Sequence, residues 1–305
     1  MQPGYDHPLY LLPFDHRNSY IGDLFHFNIP LDAKQKSRVE DSKQVIYEGF
    51  IEAATGRLSK QAAGVLVDQE YGAAILGDAR KRGYTTAVSV ERSGCDEFQF
   101  EYGEHFAEHI EAVDPTFAKV LVRYNPDDDA ALNLRQVTRL QVLSMYCQRS
   151  GRRLMFELLV PATDSQLHSV GGNRATYDLE LRPGLMLGAI GELQEAGVEP
   201  AIWKIEGLDR REDCVRMVEV VRRDGRDQVG CIVLGRGADD SKVIAWLETA
   251  ATVEGFIGFA VGRTTFHAAI TDYVGGLATR HQAASRIAAQ YAKWVSLFEH
   301  ARDRA

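Results

Sequence analysis

Eight short apolar runs recur along the chain, and they constrain its fold more than any other feature. They are Leu9–Phe14, Gly64–Val67, Thr85–Val90, Ala118–Tyr124, Leu154–Val160, Ala201–Ile205, Val229–Leu234 and Gly255–Val261. Most are rich in Val, Ile, Leu and Phe, as strands buried on both faces must be, since neither face meets water. Between them lie segments with apolar residues at helical spacing. Ser37–Ala54 carries Val39, Ile46, Phe50 and Ile51, Leu132–Arg149 carries Leu140, Val142, Leu143 and Tyr146, and Leu185–Ala196 carries Met186, Ile190 and Leu193. Ser241–Ala251 and Ser285–Ala301 are patterned alike. Strand-then-helix repeated eight times in 305 residues predicts an α/β chain closed as a (β/α)8 barrel. A doubly wound open sheet is the alternative, but it more often has fewer strands. No Pro/Gly/Ser-rich linker interrupts the pattern, so residues 1–305 read as a single domain. Ser165–Pro183, with Gly171-Gly172-Asn173, is a longer insertion after the fifth strand. It reads equally well as an active-site lid or a surface excursion.

Composition narrows the function classes. The formal charge of -8 argues against a nucleic-acid binder, which would show a basic face. Anionic substrates stay open, because a local basic pocket can exist on an acidic protein. The N-terminus has no basic stretch followed by an apolar core, and no run approaches the roughly 18 apolar residues of a membrane span. Cys95, Cys147, Cys214 and Cys231 form no Cys-x-x-Cys pair and read as reduced thiols. The expectation is a cytoplasmic protein with no nucleic-acid or membrane partner. A homo-oligomer stays open.

In a barrel of this kind, function gathers where the strands end, in the loops leading to the helices. The polar residues fall there. Strand one ends in Asp15-His16-Arg17 and strand two in Asp68-Gln69-Glu70. Strand four holds Lys119 and Arg123, strand five Glu157, and strand six Lys204 and Glu206. Strand seven runs into Gly235-Arg236-Gly237 and strand eight into Gly262-Arg263. Singly each has a plain structural explanation: Asp68 can cap a helix, and a strand acid can neutralise a neighbouring lysine. Seven strands of eight sending charge to one end is harder to explain without chemistry.

Lys204, inside Ala201-Ile-Trp-Lys-Ile-Glu206, is the most telling of these residues. Burying an ammonium costs several kcal/mol of hydration, on the order of what a neighbouring acid or a lost proton must offset. A pair with Glu206 is the plain reading, and a neutral amine able to attack a carbonyl is the chemical one. Side chains two apart share a strand face, which aligns Lys119, Leu121 and Arg123, aligns Met155, Glu157 and Leu159, and aligns Ile202, Lys204 and Glu206. Adjacent strands lie about 4.8 Å apart, so Lys119, Glu157 and Lys204 come within reach of one another. Lys119 is then expected to depress one amine by like-charge repulsion, with Glu157 moving protons, helped by Asp15 or Asp68. The glycine–arginine turns after strands seven and eight suit a phosphate, through Gly235, Arg236, Gly237, Gly262 and Arg263. Arg123 or Arg17 suits a substrate carboxylate. His105 and His109, at helical spacing, read as a solvated surface pair rather than a metal site. No metal is expected.

Five segments carry a resemblance: Leu11-Leu-Pro-Phe-Asp-His-Arg17, Gly64-Val-Leu-Val-Asp68, Trp203-Lys-Ile-Glu-Gly-Leu-Asp209, Gly230–Ala238 and Gly258-Phe-Ala-Val-Gly-Arg-Thr264. They resemble the C-terminal domain of bifunctional bacterial inositol-catabolism proteins, from about Leu9 to Phe298. That domain is described as a 2-deoxy-5-keto-gluconate 6-phosphate aldolase; the chain lacks the sugar-kinase half that precedes it there. More distantly the pattern is similar to class I tagatose-1,6-bisphosphate and sulfofructose-phosphate aldolases. The resemblance implies a Schiff base on Lys204 with no other cofactor and Glu157 as acid–base. It also implies Lys119 and Asp15 beside them, and Arg263 on the phosphate of a sugar substrate. The alternatives it leaves are another ketose-phosphate aldolase, a non-catalytic sugar-phosphate-binding barrel, or an isomerase using Glu157.

Overall fold

The computed structural model describes residues 4–56 and 58–305. Eight parallel strands close into a barrel in sequence order: β1 Leu9–Pro13, β2 Ala63–Val67, β3 Thr85–Ser89, β4 Phe117–Arg123, β5 Arg153–Leu159, β6 Ile202–Glu206, β7 Gly230–Leu234 and β8 Phe256–Ala260. The barrel closes where Leu9, Tyr10 and Leu11 pair with Gly258, Phe259 and Ala260. Each apolar run of the sequence became a strand, with ends moved by no more than two residues. The helices begin earlier than their apolar periodicity. Asp32 and Thr279, each in a capping box, start helices at Ala33 and Arg280, ahead of the first core-facing residues. No helix of the described residues is long and apolar enough to cross a membrane.

Alternation sorts the side chains into two cores. Residues such as Tyr10, Leu12, Phe156, Trp203 and Ile205 face outward into the helical layer. Leu9, Leu11, Leu66, Ala87, Phe117, Met155, Ile202, Ile232 and Ala260 fill the barrel interior. Tyr5 packs edge-on against Phe117 at 5.1 Å, within the same cluster. Two residues further along several strands, the same inward face turns polar. Phe117 is followed by Lys119, Met155 by Glu157, and Ile202 by Lys204. The apolar layer is therefore the floor of whatever lies above it.

Ser165–Pro183 is not an irregular loop. It contains helical turns at Asp164–Ser169 and Arg174–Thr176, then a π turn at Tyr177–Leu181 that leads into helix Arg182–Glu195. Thr163 caps the first turn through a capping box with Gln166. His109 also departs from expectation. It is buried, not solvated, and its ring stacks on Tyr102 at 4.2 Å.

Candidate active site

Above the apolar floor a cavity of about 500 Å³ opens at the C-terminal ends of the strands. The register of the sheet builds its centre. Glu157 lies directly opposite Lys204 across β5 and β6, and opposite Leu121 across β4 and β5. Lys204 Nζ is 2.7 Å from Glu157 Oε1. The other oxygen, Oε2, lies 2.8 Å from Lys119 Nζ. Lys119 Nζ also donates to Asp15 Oδ2 and to Glu91 Oε1, each at 2.7 Å. All five charges are buried or nearly so, in an arc from β6 through β5 and β4 to the ends of β1 and β3.

The geometry decides the sign for one of the two amines. Lys119 is not the amine that is depressed. Burial alone would favour its neutral form, but Asp15, Glu157 and Glu91 outweigh burial and hold Lys119 well above the ordinary lysine range. It is a fixed cation. Against the same burial, Lys119 keeps the Asp15 carboxyl below the usual carboxylate range, and Lys119 with Lys204 does so for Glu157. Glu91 goes the other way: burial, reinforced by the charge of Asp15, raises it despite Lys119. Three carboxylates stand against two ammonium groups, and Glu91 is the one of the three that its surroundings push upward.

Glu206, the plain candidate for neutralising Lys204, does not touch it. Glu206 Oε2 accepts from the Val160 backbone N–H at 3.0 Å, and Oε1 lies 3.2 Å from Arg236 Nε. Asp68 also leaves the group, although its place two residues beyond the inward Leu66 gives it the right parity. Its Oδ1 accepts from the Tyr71 N–H at 2.8 Å and caps helix Gln69–Arg82, while Oδ2 holds the fully buried Lys43. A helix start immediately after β2 turns the side chain away from the cavity. Asp68 is therefore removed from the catalytic set and assigned to the fold.

Strand β3, the one strand of the eight not expected to send charge to this end, supplies Glu91 and the cavity wall Arg92–Phe98 from its C-terminal end. The signal was present: Glu91 follows the apolar run as Asp15 follows Phe14, and it continues the inward series from Ala87 and Ser89. His16 also borders the cavity, with Nδ1 buried and unpartnered. Burial pushes it down to about 4, so the ring is neutral at pH 7.

The arginines divide by availability. Arg17 is buried and committed: Nη1 donates to Glu101 Oε2 at 2.6 Å and Nη2 to the Glu91 carbonyl at 2.5 Å. Arg123 is loosely held, 3.4 Å from the Cys95 carbonyl and 3.8 Å from Asp96, and it borders the cavity from β4. Across the mouth, Gly235, Arg236, Gly237, Gly262 and Arg263 line the β7 and β8 side together. Gly237 takes a φ of +71, a conformation that disfavours any side chain. A Cβ on Gly262 would sit 2.3 Å from the Pro13 carbonyl, so glycine alone lets β8 run this close to β1 at the start of helix Arg263–Val274. Arg263 pairs with Asp23 at 3.2 Å.

These features define a (β/α)8-barrel protein with a buried lysine–carboxylate cluster under an arginine-flanked cavity. The chain belongs to the DUF2090 family, described as an uncharacterized protein conserved in bacteria, whose model matches residues 4–302. Comparison with curated proteins gives no match. Among solved structures, the fold is similar to Cgl0159 of Corynebacterium glutamicum, with a TM-score of 0.54 and 17% identity over 94% of this chain and 88% of that one. It is also similar to a fructose-bisphosphate aldolase of Slackia heliotrinireducens, with a TM-score of 0.56 and 11% identity over 92% of this chain and 85% of that one. At such identities the likeness is one of fold.

Proposed function

We propose that this protein is a class I aldolase in which Lys204 forms a Schiff base with the ketone of a phosphorylated keto sugar. The observation that carries this reading is the 2.7 Å contact between Lys204 Nζ and Glu157 Oε1 inside the cavity. It gives the amine a partner that can take its proton and return it. Lys204 adds to the ketone, and the carbinolamine loses water to give an iminium. The hydroxyl proton two carbons away passes to a carboxylate, its oxygen becomes the aldehyde, and the bonding pair moves into the iminium as an enamine. Protonation of the enamine carbon and hydrolysis then release the ketone product and restore the amine. The iminium is the electron sink, so the chemistry needs no metal or organic cofactor.

The substrate reading is 2-deoxy-5-keto-gluconate 6-phosphate, cleaved to dihydroxyacetone phosphate and malonate semialdehyde. Its phosphate suits the glycine–arginine turns after β7 and β8. Its carboxylate suits the loosely held Arg123 rather than Arg17, both of whose terminal nitrogens are engaged, by Glu101 and by the Glu91 carbonyl. Strands β4 and β8 lie four apart in an eight-stranded ring, so the two anionic ends would reach across the mouth.

The test is borohydride reduction in the presence of dihydroxyacetone phosphate, followed by peptide mapping. An adduct on Lys204 that disappears in Lys204→Met is expected. An adduct elsewhere, or none, overturns the mechanism. Profiling cleavage of the keto acid phosphate against ketose bisphosphates decides the substrate, with Arg123→Gln expected to raise KM for the keto acid far more than kcat falls.

A further inference from the structure

The phosphate end of the cavity rests on a supporting layer that the proposed reaction does not itself use. Arg236 sits between two glycines with a φ of +52. A non-glycine residue there is strained and persists only where its surroundings hold it. They do. Arg236 Nη1 donates to Asp178 Oδ1 at 2.8 Å, and Nε lies 3.2 Å from Glu206 Oε1. Nη2 makes no hydrogen bond among the described residues, and the side chain borders the cavity.

Asp178 reaches Arg236 because of the π turn at Tyr177–Leu181. Such a turn shifts the helix face by inserting a residue, and it recurs at functional sites. The same Asp178 oxygen accepts from Arg182 Nε at 3.0 Å, and the buried Arg182 is anchored by donating from Nη2 to the Gly207 carbonyl at 2.9 Å. Tyr177 hydroxyl donates to the Val160 carbonyl at 2.9 Å, while the Val160 N–H donates to Glu206. The turn thus ties the ends of β5 and β6 to the loop after β7.

We infer that Asp178 is a positioning residue for anion binding, fixing Arg236 with Glu206 so that Nη2 meets a phosphate oxygen over the Gly235–Gly237 turn. This rests on the phosphate end of the function proposed above and deepens it. Arg182 shares Asp178 with Arg236, and burial raises the Glu206 carboxyl against the pull of Arg182 and Arg236.

Two measurements test it: Lys204 adduct formation against dihydroxyacetone phosphate concentration, and calorimetric binding of inorganic phosphate. Asp178→Ala is expected to raise the half-saturating concentration about tenfold, equivalent to about 1.4 kcal/mol, with the limiting adduct yield retained. Phosphate binding should weaken in parallel. Asp178→Asn keeps an acceptor oxygen and should lie between that variant and the native protein. Arg236→Lys keeps the charge, loses the two-sided grip and leaves the helical segment untouched; it should match Asp178→Ala. These two variants carry the test if Asp178→Ala fails to fold. Unchanged half-saturation overturns the inference. So does tighter binding in Asp178→Ala, which would make Asp178 a competitor for Arg236, or a fall in limiting yield alone. A native protein that binds phosphate but forms no adduct overturns the aldolase reading; the positioning role is then decided by phosphate binding alone.

Discussion

Replacing Lys119 with methionine removes one charge and almost no volume. In the native site that charge lies 2.7–2.8 Å from oxygens of Asp15, Glu91 and Glu157. Removing one partner of a buried ionic group costs about 3–5 kcal/mol, because the remaining charges lose compensation without regaining water. The pH dependence identifies the cause. In the native protein Asp15 and Glu157 lie below their unfolded values. Their stabilisation is therefore complete above pH of about 4 and fades as pH falls through the folded values. Without Lys119 the same carboxyls rise above their unfolded values. The folded variant then binds more protons than the unfolded chain, so its stability declines as pH climbs from about 4 toward 7. The gap between the two proteins should be about 3–5 kcal/mol at pH 7 and should narrow at pH 5. Urea unfolding followed by the fluorescence of Trp203, Trp246 and Trp294, all buried, measures it. A gap that is absent at pH 7, or that stays constant or widens at pH 5, refutes the account of Lys119 as the cation holding the cluster together.

Other residues separate fold from chemistry. Asp68→Asn strands the buried Lys43 and should lower the urea midpoint strongly at pH 7, while folded molecules still form the Lys204 adduct; loss of the adduct in folded protein would return Asp68 to the site. Gly262→Ala drives a Cβ toward the Pro13 carbonyl, so the loop must shift, and calorimetric phosphate affinity should fall at least severalfold, on the order of 1 kcal/mol or more. His109, pushed down to about 4 by burial, binds protons more readily in the unfolded chain. Its contribution is present above pH of about 6.5 and lost as pH falls toward 4, so His109→Phe should lose less stability than the native protein between pH 6.5 and 4 in the same urea assay.

The barrel was legible because each strand is buried on both faces, which forces a continuous apolar run with little room for misreading. The shared faces Lys119–Leu121–Arg123 and Met155–Glu157–Leu159 were legible for a related reason: parity along a strand is local. What was not legible is convergence. Nothing in the local sequence around Lys119 announces that Glu91, distant in sequence, joins Asp15 at its ammonium, so the like-charge argument missed that Lys119 itself is held charged. Asp68 shows the complementary failure. Parity pointed it inward, but the helix that begins one residue later needs a cap, and Lys43 from helix Ala33–Ala54 needs a counter-ion. A strand-end acid facing both demands is drawn away from the cavity, and the capping need was the only one of the two readable in the sequence.

The contrast between the two lysines is what makes the site asymmetric enough for chemistry. Lys119 touches three carboxylates, so removing its proton would leave a trio of buried anions around a neutral amine. Lys204 touches one, and that carboxylate already leans on Lys119 through its other oxygen. A proton leaving Lys204 for Glu157 turns an ammonium–carboxylate pair into an amine and an acid, with no uncompensated charge created. The net charge of the cluster is unchanged by the step, while Lys119 then answers to two anions rather than three. An electroneutral transfer across one 2.7 Å contact can expose an amine in a buried site, and within this cavity β6 offers such a contact. In the proposed mechanism Lys119 supplies the permanent charge against which that transfer would occur.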